Sequence, residues 1–220
     1  TYPFIRTSEF LWQEGHTAHA SKDSAMEMVH KALLWYSDFY ENFAAIKPFI
    51  GIKSINERFA GADETFTVEL VMPNGRALQG ATSHYLGENF AKPFEITFTD
   101  ENNAKQYVKT TSWGISTRYI GGLILSHGDD AGLVLPPKLA PVQAVIIPIW
   151  PKDESEMSEF NSYLESLEDK LKGIRYVVDR SDTKSLGYRI NEWEMQGVPI
   201  RIEIGQKEAK ENSLTIVKRY

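Results

Sequence analysis

Residues 66–86, FTVELVMPNGRALQGATSHYL, decide the architecture of the first half of this chain. Phe66, Val68 and Leu70 alternate with Thr67 and Glu69, the period of two that turns one face of a strand toward a core. Asn74-Gly75 is the strongest short-range hairpin signal, because a type I′ turn needs positive φ at both central residues. The returning arm, 76–86, carries Gly80 in its middle, which predicts a bulge or a close backbone approach. The centre of the first half therefore reads as an antiparallel hairpin.

Working outward, residues 1–20 read as a strand and turn. From Ser21 onward Ala25, Met28, Val29, Ala32, Leu33, Tyr36, Phe39, Tyr40 and Phe43 recur at helical spacing, with Ser24 and Glu27 placed as a capping box and Pro48 beyond the stop. Residues 94–98 and 106–113 read as two further strands around a polar turn at 100–104. A helix is expected over 116–127; its Gly121-Gly122 pair costs about 1 kcal/mol per glycine relative to alanine, which implies tight packing there. Strands with flanking helices make this part α+β, with an antiparallel sheet.

Pro136, Pro137 and Pro141 mark a boundary, and the expected domains are 1–137 and 138–220. Past it, VQAVIIPI (142–149) is a continuous apolar run, as expected of a strand covered on both faces. Helices over 154–171 and 184–196 alternate with strands at 174–179, 199–204 and 213–219, and Gly197 sits where a helix C′ residue belongs. That order predicts a small α/β domain with a mixed sheet.

Composition narrows the function classes. With 42% hydrophobic and 12% aromatic residues the 220-residue chain is globular rather than disordered. It has no cysteine, which excludes a disulfide framework and any thiolate metal site within it. No apolar run approaches the ~20 residues that cross a bilayer, and no charged-then-apolar leader opens the chain, so no membrane partner and a cytoplasmic setting are expected. The net charge of −6 argues mildly against nucleic acid, yet 171–220 hold ten basic and seven acidic side chains, a local net of +3. The chain opens at Thr1 without Met, already inside a dense motif, and reads as an internal piece of something longer.

Three segments carry chemistry. In FIRTSEFLWQEGHTAH (4–19), seven of sixteen residues ionise or make specific polar contacts, which core strands do not do; the alternative is a salt-bridged surface strand. Arg6 can grip phosphate as a fork, and Glu14 and His16 share a strand face. In LQGATSH (78–84), Gln79, Thr82 and His84 stand where a central sheet prefers apolar residues, which suits a ligand lying on the sheet. In SWGISTR (112–118), Gly114 admits a ligand to the backbone, and Arg118 starts a helix, where the macrodipole disfavours a cation. There is no G-x-x-x-x-G-K-[ST] and no G-x-G-x-x-G after a strand, so a nucleotide here would need arginines and a metal.

Taken together these segments resemble one family. Arg6, Phe10 and Glu14 match the second half of motif 2 of class II aminoacyl-tRNA synthetases, and SWGISTR followed by an apolar helix resembles motif 3. FLWQEGHTAHA, RALQGATSHYLGENF and HGDDAGLVLPPKLAPVQ look like the prolyl-tRNA synthetases of archaeal/eukaryotic-like type, and GYRINEWEMQGVPIRIEIG is similar to their anticodon-binding domain.

The resemblance implies a partial class II catalytic core followed by an α/β anticodon-binding domain ending at or near Tyr220. It implies ligation of proline to tRNA(Pro) through a prolyl adenylate, with ATP and substrate-associated Mg2+ and no metal ligands assigned on this chain. By resemblance, Arg6, Gln79, Thr82 and Arg118 contact ATP, with the two arginines catalytic. Trp12, Glu14, His16, Phe59 and His84 hold proline, with Trp113 and Gly114 nearby. Aromatic walls and a carboxylate suit a small apolar amino acid with a charged secondary ammonium. Arg189, Glu192, Arg201 and Glu203, with Tyr188 beside them, are the residues expected to meet the anticodon; Trp193 is expected in the core.

The pattern departs from the family where motif 3 shows Thr117 instead of an acid before its arginine. Motif 1, on which the family's homodimer depends, and the first motif 2 arginine are not in the chain, so the isolated chain is expected to be inactive. Two other readings compete: a non-catalytic RNA-binding or regulatory relative, and a class II synthetase for threonine, serine, glycine or histidine. Retention of Arg6, Gln79, Thr82, His84 and Arg118 speaks against the first. The lack of cysteine and the aromatic Trp12 and Phe59 favour proline over threonine and glycine.

Overall fold

The computed structural model describes residues 2–220, so Thr1 of the first expected domain lies outside them. The chain divides into two units between Ser126 and His127.

The first unit is built on five antiparallel strands, β1 (Trp12–His19), β2 (Pro48–Ile52), β3 (Glu64–Val71), β4 (Ala77–Gly87) and β7 (Lys109–Ser116), in the order β1-β7-β4-β3-β2. The hairpin read from 66–86 is β3 and β4. Its turn differs from the expected two-residue type: Met72 and Arg76 pair at 2.9 Å around a three-residue loop, Pro73 to Gly75, with positive φ at Gly75 and none at Asn74. Pro73 holds φ near −65°, so the chain turns through a right-handed residue first and needs only one left-handed one. Gly80 is both things expected of it. Val68 faces Ala81 while Glu69 faces Gln79, which leaves Gly80 as the bulge, and a Cβ there would lie 2.8 Å from the Tyr40 ring.

One face of this sheet is covered by α1 (Lys22–Asp38), which buries Ala25, Val29, Ala32, Leu33 and Tyr36 against it. Ser83 donates to the Val29 carbonyl at 2.9 Å and the Tyr36 phenol to Gln13 at 2.8 Å, so polar groups under the helix are satisfied. The cap is Ser21, whose hydroxyl accepts from Ser24 N–H, rather than the expected Ser24. The helix runs on as a π-helical turn, Phe39–Phe43, which drives Tyr40 into the core beside Gly80. The strand expected over 106–113 breaks at Val108: β6 (Lys105–Tyr107) pairs only with β5 (Thr97–Thr99), and β7 joins the main sheet. Ser116 is still paired with Trp12, so α2 starts at Arg118, two residues later than expected, and runs to His127. Gly122 packs 3.3 Å from Leu70 and Leu78 for an added Cβ, as its tight-packing reading requires.

The second unit is a four-stranded sheet in the order β11-β10-β8-β9, from β8 (Ala144–Pro148), β9 (Tyr176–Val178), β10 (Ile200–Ile204) and β11 (Thr215–Lys218). β8 is parallel to β9 and β10, and β11 is antiparallel, so the sheet is mixed. Val145, Ile146 and Ile147 are fully buried because α3 (Glu154–Lys170) and α4 (Leu186–Met195) cover opposite faces of β8. A short helix, α5 (Gln206–Glu211), follows β10 and has no counterpart in the sequence reading. Residues before the proline-rich stretch already belong to this unit: Leu133 and Leu135 donate to Met195 and Gly197, and Asp129 pairs with Arg219 at 2.5 Å. That is why the division precedes 137. Among the described residues no helix is long and apolar enough to cross a membrane.

Candidate functional site

The face of the first sheet away from α1 carries the site. Residues directly opposite in antiparallel strands share a face. Glu14 stands opposite Gly114, which stands opposite Thr82, which stands opposite Thr67. One row along, His16, Ser112, His84 and Thr65 stand in line. Trp12 is opposite Ser116. Gly114, lacking a side chain, leaves the floor of the cleft open between Glu14 and Thr82 in the same row.

Two adjoining recesses share Glu14. One, of about 210 Å3, is lined by Phe10, Trp12, Gln79, Gly80, Thr82, His84, Gly114, Ser116 and Arg118. The other, about 470 Å3 and mainly apolar, is lined by His16, Phe59, Leu86, Phe90, Phe94, Ile96 and Ser112. Of the eleven residues expected at the catalytic site, ten border these recesses.

Arg6 is the exception. It is exposed, on a turn where its backbone pairs with that of Tyr2 at 2.9 and 3.1 Å. That turn is tied to the site through Arg118, whose Nε donates to the Ile5 carbonyl at 3.1 Å. Trp113 borders the cleft, but its indole lies against Gly15, its partner on β1; a Cβ at Gly15 would be 2.3 Å from the ring. The backbone alternation therefore aims Trp113 toward the α1 side and leaves Gly114 in the cleft.

The electrostatics are uneven. Glu14 and His16 approach at 3.3 Å. His84 is held from its ordinary 6.5 down to about 4, chiefly by burial and then by the Lys53 charge, with Glu14 pulling the other way. Lys53 donates to Gln79, and Thr67 donates to Glu69 at 2.7 Å. Phe59 packs at 5.1 Å from the His84 ring and 6.4 Å from Phe90. Lys53, Thr65 and Phe90 are not among the residues that the sequence alone points to. Thr65 had a signal: the alternation that puts Phe66, Val68 and Leu70 on the core puts Thr65, Thr67 and Glu69 on the cleft. Among the described residues no three histidine, aspartate or glutamate side chains gather to hold a metal ion.

In the second unit the four residues expected to meet the anticodon separate. Arg189 is 4% exposed: it donates to the carbonyls of Pro148 and Asp179 and pairs with the Asp179 carboxylate at 3.1 Å. That carboxylate also accepts Trp193 Nε1–H at 2.9 Å. Burial alone would raise Asp179, but Ser181 N–H, Trp193 and Arg189 outweigh it and hold the carboxyl below its usual range. Arg189 is thus corrected from a base-facing residue to an internal clamp on the ends of β8 and β9. Glu192 pairs with Lys184 at 2.6 Å, and Arg201 with Glu203 at 2.7 Å, all partly open to solvent. Tyr188 is exposed, with the Lys184 ammonium 5.0 Å from its ring centre.

Residues 1–127 match the sequence model of the tRNA synthetase class II core domain (G, H, P, S and T), and residues 143–220 match that of an anticodon binding domain. A proline–tRNA ligase of Symbiobacterium thermophilum is 50% identical over the whole chain, and one of Porphyromonas gingivalis is 48% identical over 98% of it. The chain spans 45% and 44% of those relatives' own lengths. The crystal structure of prolyl-tRNA synthetase from Cryptosporidium parvum complexed with L-proline and AMP superposes with a TM-score of 0.91 at 46% identity, over 99% of this chain and 47% of that one. A second structure of that enzyme, complexed with halofuginone and AMPPNP, matches equally well.

Proposed function

Because the chain belongs to the class II tRNA synthetase core family, we propose that its first unit supplies the cleft in which the full-length protein forms a prolyl adenylate from proline and ATP, and that the full-length protein then charges tRNA(Pro). The observation that supports this most is the gathering of Trp12, Glu14, Gln79, Thr82, His84, Gly114 and Arg118 around one cleft on one sheet face.

In this reading a proline carboxylate oxygen attacks the α-phosphorus of ATP in line, the bond to the β-phosphate oxygen breaks, and pyrophosphate leaves. A ribose hydroxyl at the tRNA 3′ end then attacks the prolyl carbonyl and releases AMP. The protein's part is positioning and charge neutralisation. Arg118 faces the triphosphate, and the exposed Arg6 swings in with its turn. Gln79 and Thr82 orient the nucleotide on β4. Glu14 pairs with the ring ammonium, and Trp12, Phe59 and His84 enclose the ring. Mg2+ enters on the triphosphate and neutralises charge there. The second unit meets the anticodon through its exposed Tyr188 and its partly open Glu192, Arg201 and Glu203, where stacked and hydrogen-bonded single-stranded bases are read. The full-length protein works in the cytoplasm as a homodimer.

Proline-dependent exchange of pyrophosphate into ATP by the full-length protein tests this. Arg118→Ala is expected to cut the exchange rate by about a hundredfold or more, and Glu14→Gln to raise KM for proline by about tenfold at little change in KM for ATP. Exchange that survives both substitutions unchanged would remove the cleft from the reaction.

A further inference from the structure

We propose that Thr65 is a positioning residue for the amino-acid pocket, its single hydroxyl holding the Phe59 wall and fixing His84 in the Nε2–H tautomer; this rests on the reading of the cleft given above.

Thr65 lies directly opposite His84 in the β3–β4 pair and is 1% exposed, so it cannot touch a ligand itself. Its Oγ1 accepts the Phe59 backbone N–H at 3.3 Å and lies 3.0 Å from His84 Nδ1. Among the described residues these are the hydroxyl's hydrogen-bonding neighbours. An amide N–H can only donate, so that contact uses an oxygen lone pair and leaves the hydroxyl proton to be placed. Shut off from water, that proton needs an acceptor, and His84 Nδ1 is the one in reach. Thr65 therefore donates to Nδ1, and the proton of the neutral ring sits on Nε2. The opposite tautomer would orphan the buried hydroxyl proton.

The consequence is chemical. His84 becomes a neutral donor bordering the cleft beside Glu14. An Nε2–H suits a carboxylate oxygen of an amino acid, or Glu14 itself, and leaves Glu14 alone to accept from the ligand ammonium. An Nε2 lone pair would compete with Glu14 for that ammonium. The low titration point of His84, about 4, agrees with a neutral ring at pH 7. The same hydroxyl anchors the backbone of Phe59, whose ring packs at a tilt 5.1 Å from the imidazole, so one buried group sets two walls.

The experiment uses 15N-histidine-labelled chain at pH 7, with the His84 signals assigned by their loss in His84→Gln. The expected result is Nδ1 at the unprotonated, pyridine-like position and Nε2 at the protonated, pyrrole-like one. Thr65→Val, isosteric but without the hydroxyl, is expected to mix the tautomers, and Thr65→Ser to restore the original one. In the full-length protein Thr65→Val should raise KM for proline by about tenfold with KM for ATP unchanged, and Thr65→Ser should return it. A protonated Nδ1 in the unsubstituted chain would overturn the proposal whatever the activity shows. An unchanged KM for proline in Thr65→Val would overturn the positioning role. If Thr65→Val fails to fold, the unsubstituted chain and Thr65→Ser still decide the tautomer. Absence of proline activation altogether would refute the functional reading, while the tautomer would still be decided by the spectrum.

Discussion

His84 shows how much a single side chain's setting changes its chemistry. In the unfolded chain it titrates near 6.5 and in the folded chain near about 4, so between those values the unfolded state binds more protons. Stability then rises with pH across that window: it is undiminished above about 6.5 and is lost progressively as pH falls toward about 4. His84→Gln should flatten the pH dependence of the urea-unfolding free energy between these values, and an unchanged slope would assign the titration elsewhere. The polar character of position 84 is plain in the sequence, since histidine replaces an apolar residue in a central strand. Its tautomer is not, because Thr65, 19 residues away, comes opposite only once the Gly80 bulge sets the register. Arg189 makes the same point in reverse. It reads as a surface cation, and only folding brings Asp179 and the Pro148 carbonyl to it. Arg189→Ala should destabilise the second unit by about 3–5 kcal/mol, since it strands a buried carboxylate. Equilibrium denaturation measures this; a loss under 1 kcal/mol would restore Arg189 to the surface.

Elements that obey a simple period were legible, and those governed by partners were not. The β3–β4 hairpin, α1, α3, α4 and the buried β8 follow from alternation or helical spacing. β2 is not legible in the sequence because Pro48 and Gly51 break its pattern, and an edge strand is defined by its pairing with β3 rather than by its own composition. α2 starts later than its helical pattern suggests because Ser116 is held in the sheet by Trp12 on β1, a contact of long sequence separation. Gly80 joins the two levels: β4 must bulge there and also pass under Tyr40, whose phenol donates to the Gly80 carbonyl at 3.0 Å. Gly80→Ala would press a methyl group into a fully buried ring and is expected to cost about 1–3 kcal/mol. A neutral result in urea denaturation would show that the π-helical turn carrying Tyr40 yields freely.

For the molecule as a whole, net charge does not separate the two units; the basic excess lies within the second one, over 171–220. The net charge of −6 conceals the basic end of the chain, so the sum alone is a poor guide to whether the chain meets nucleic acid. The candidate site residues are legible because they are chemically out of place: Arg118 at a helix start, Gln79, Thr82 and His84 in a central strand. Arg6 reads as a phosphate grip and stands exposed on its turn; under the proposed function its partner is a ligand rather than the fold. The central claim is that the cleft on the first sheet is built for proline. The most direct test is pyrophosphate exchange by the full-length protein with each of glycine, histidine, proline, serine and threonine in turn. The account predicts exchange with proline, abolished by Arg118→Ala. Exchange that prefers any of the other four, or none with proline, would contradict it.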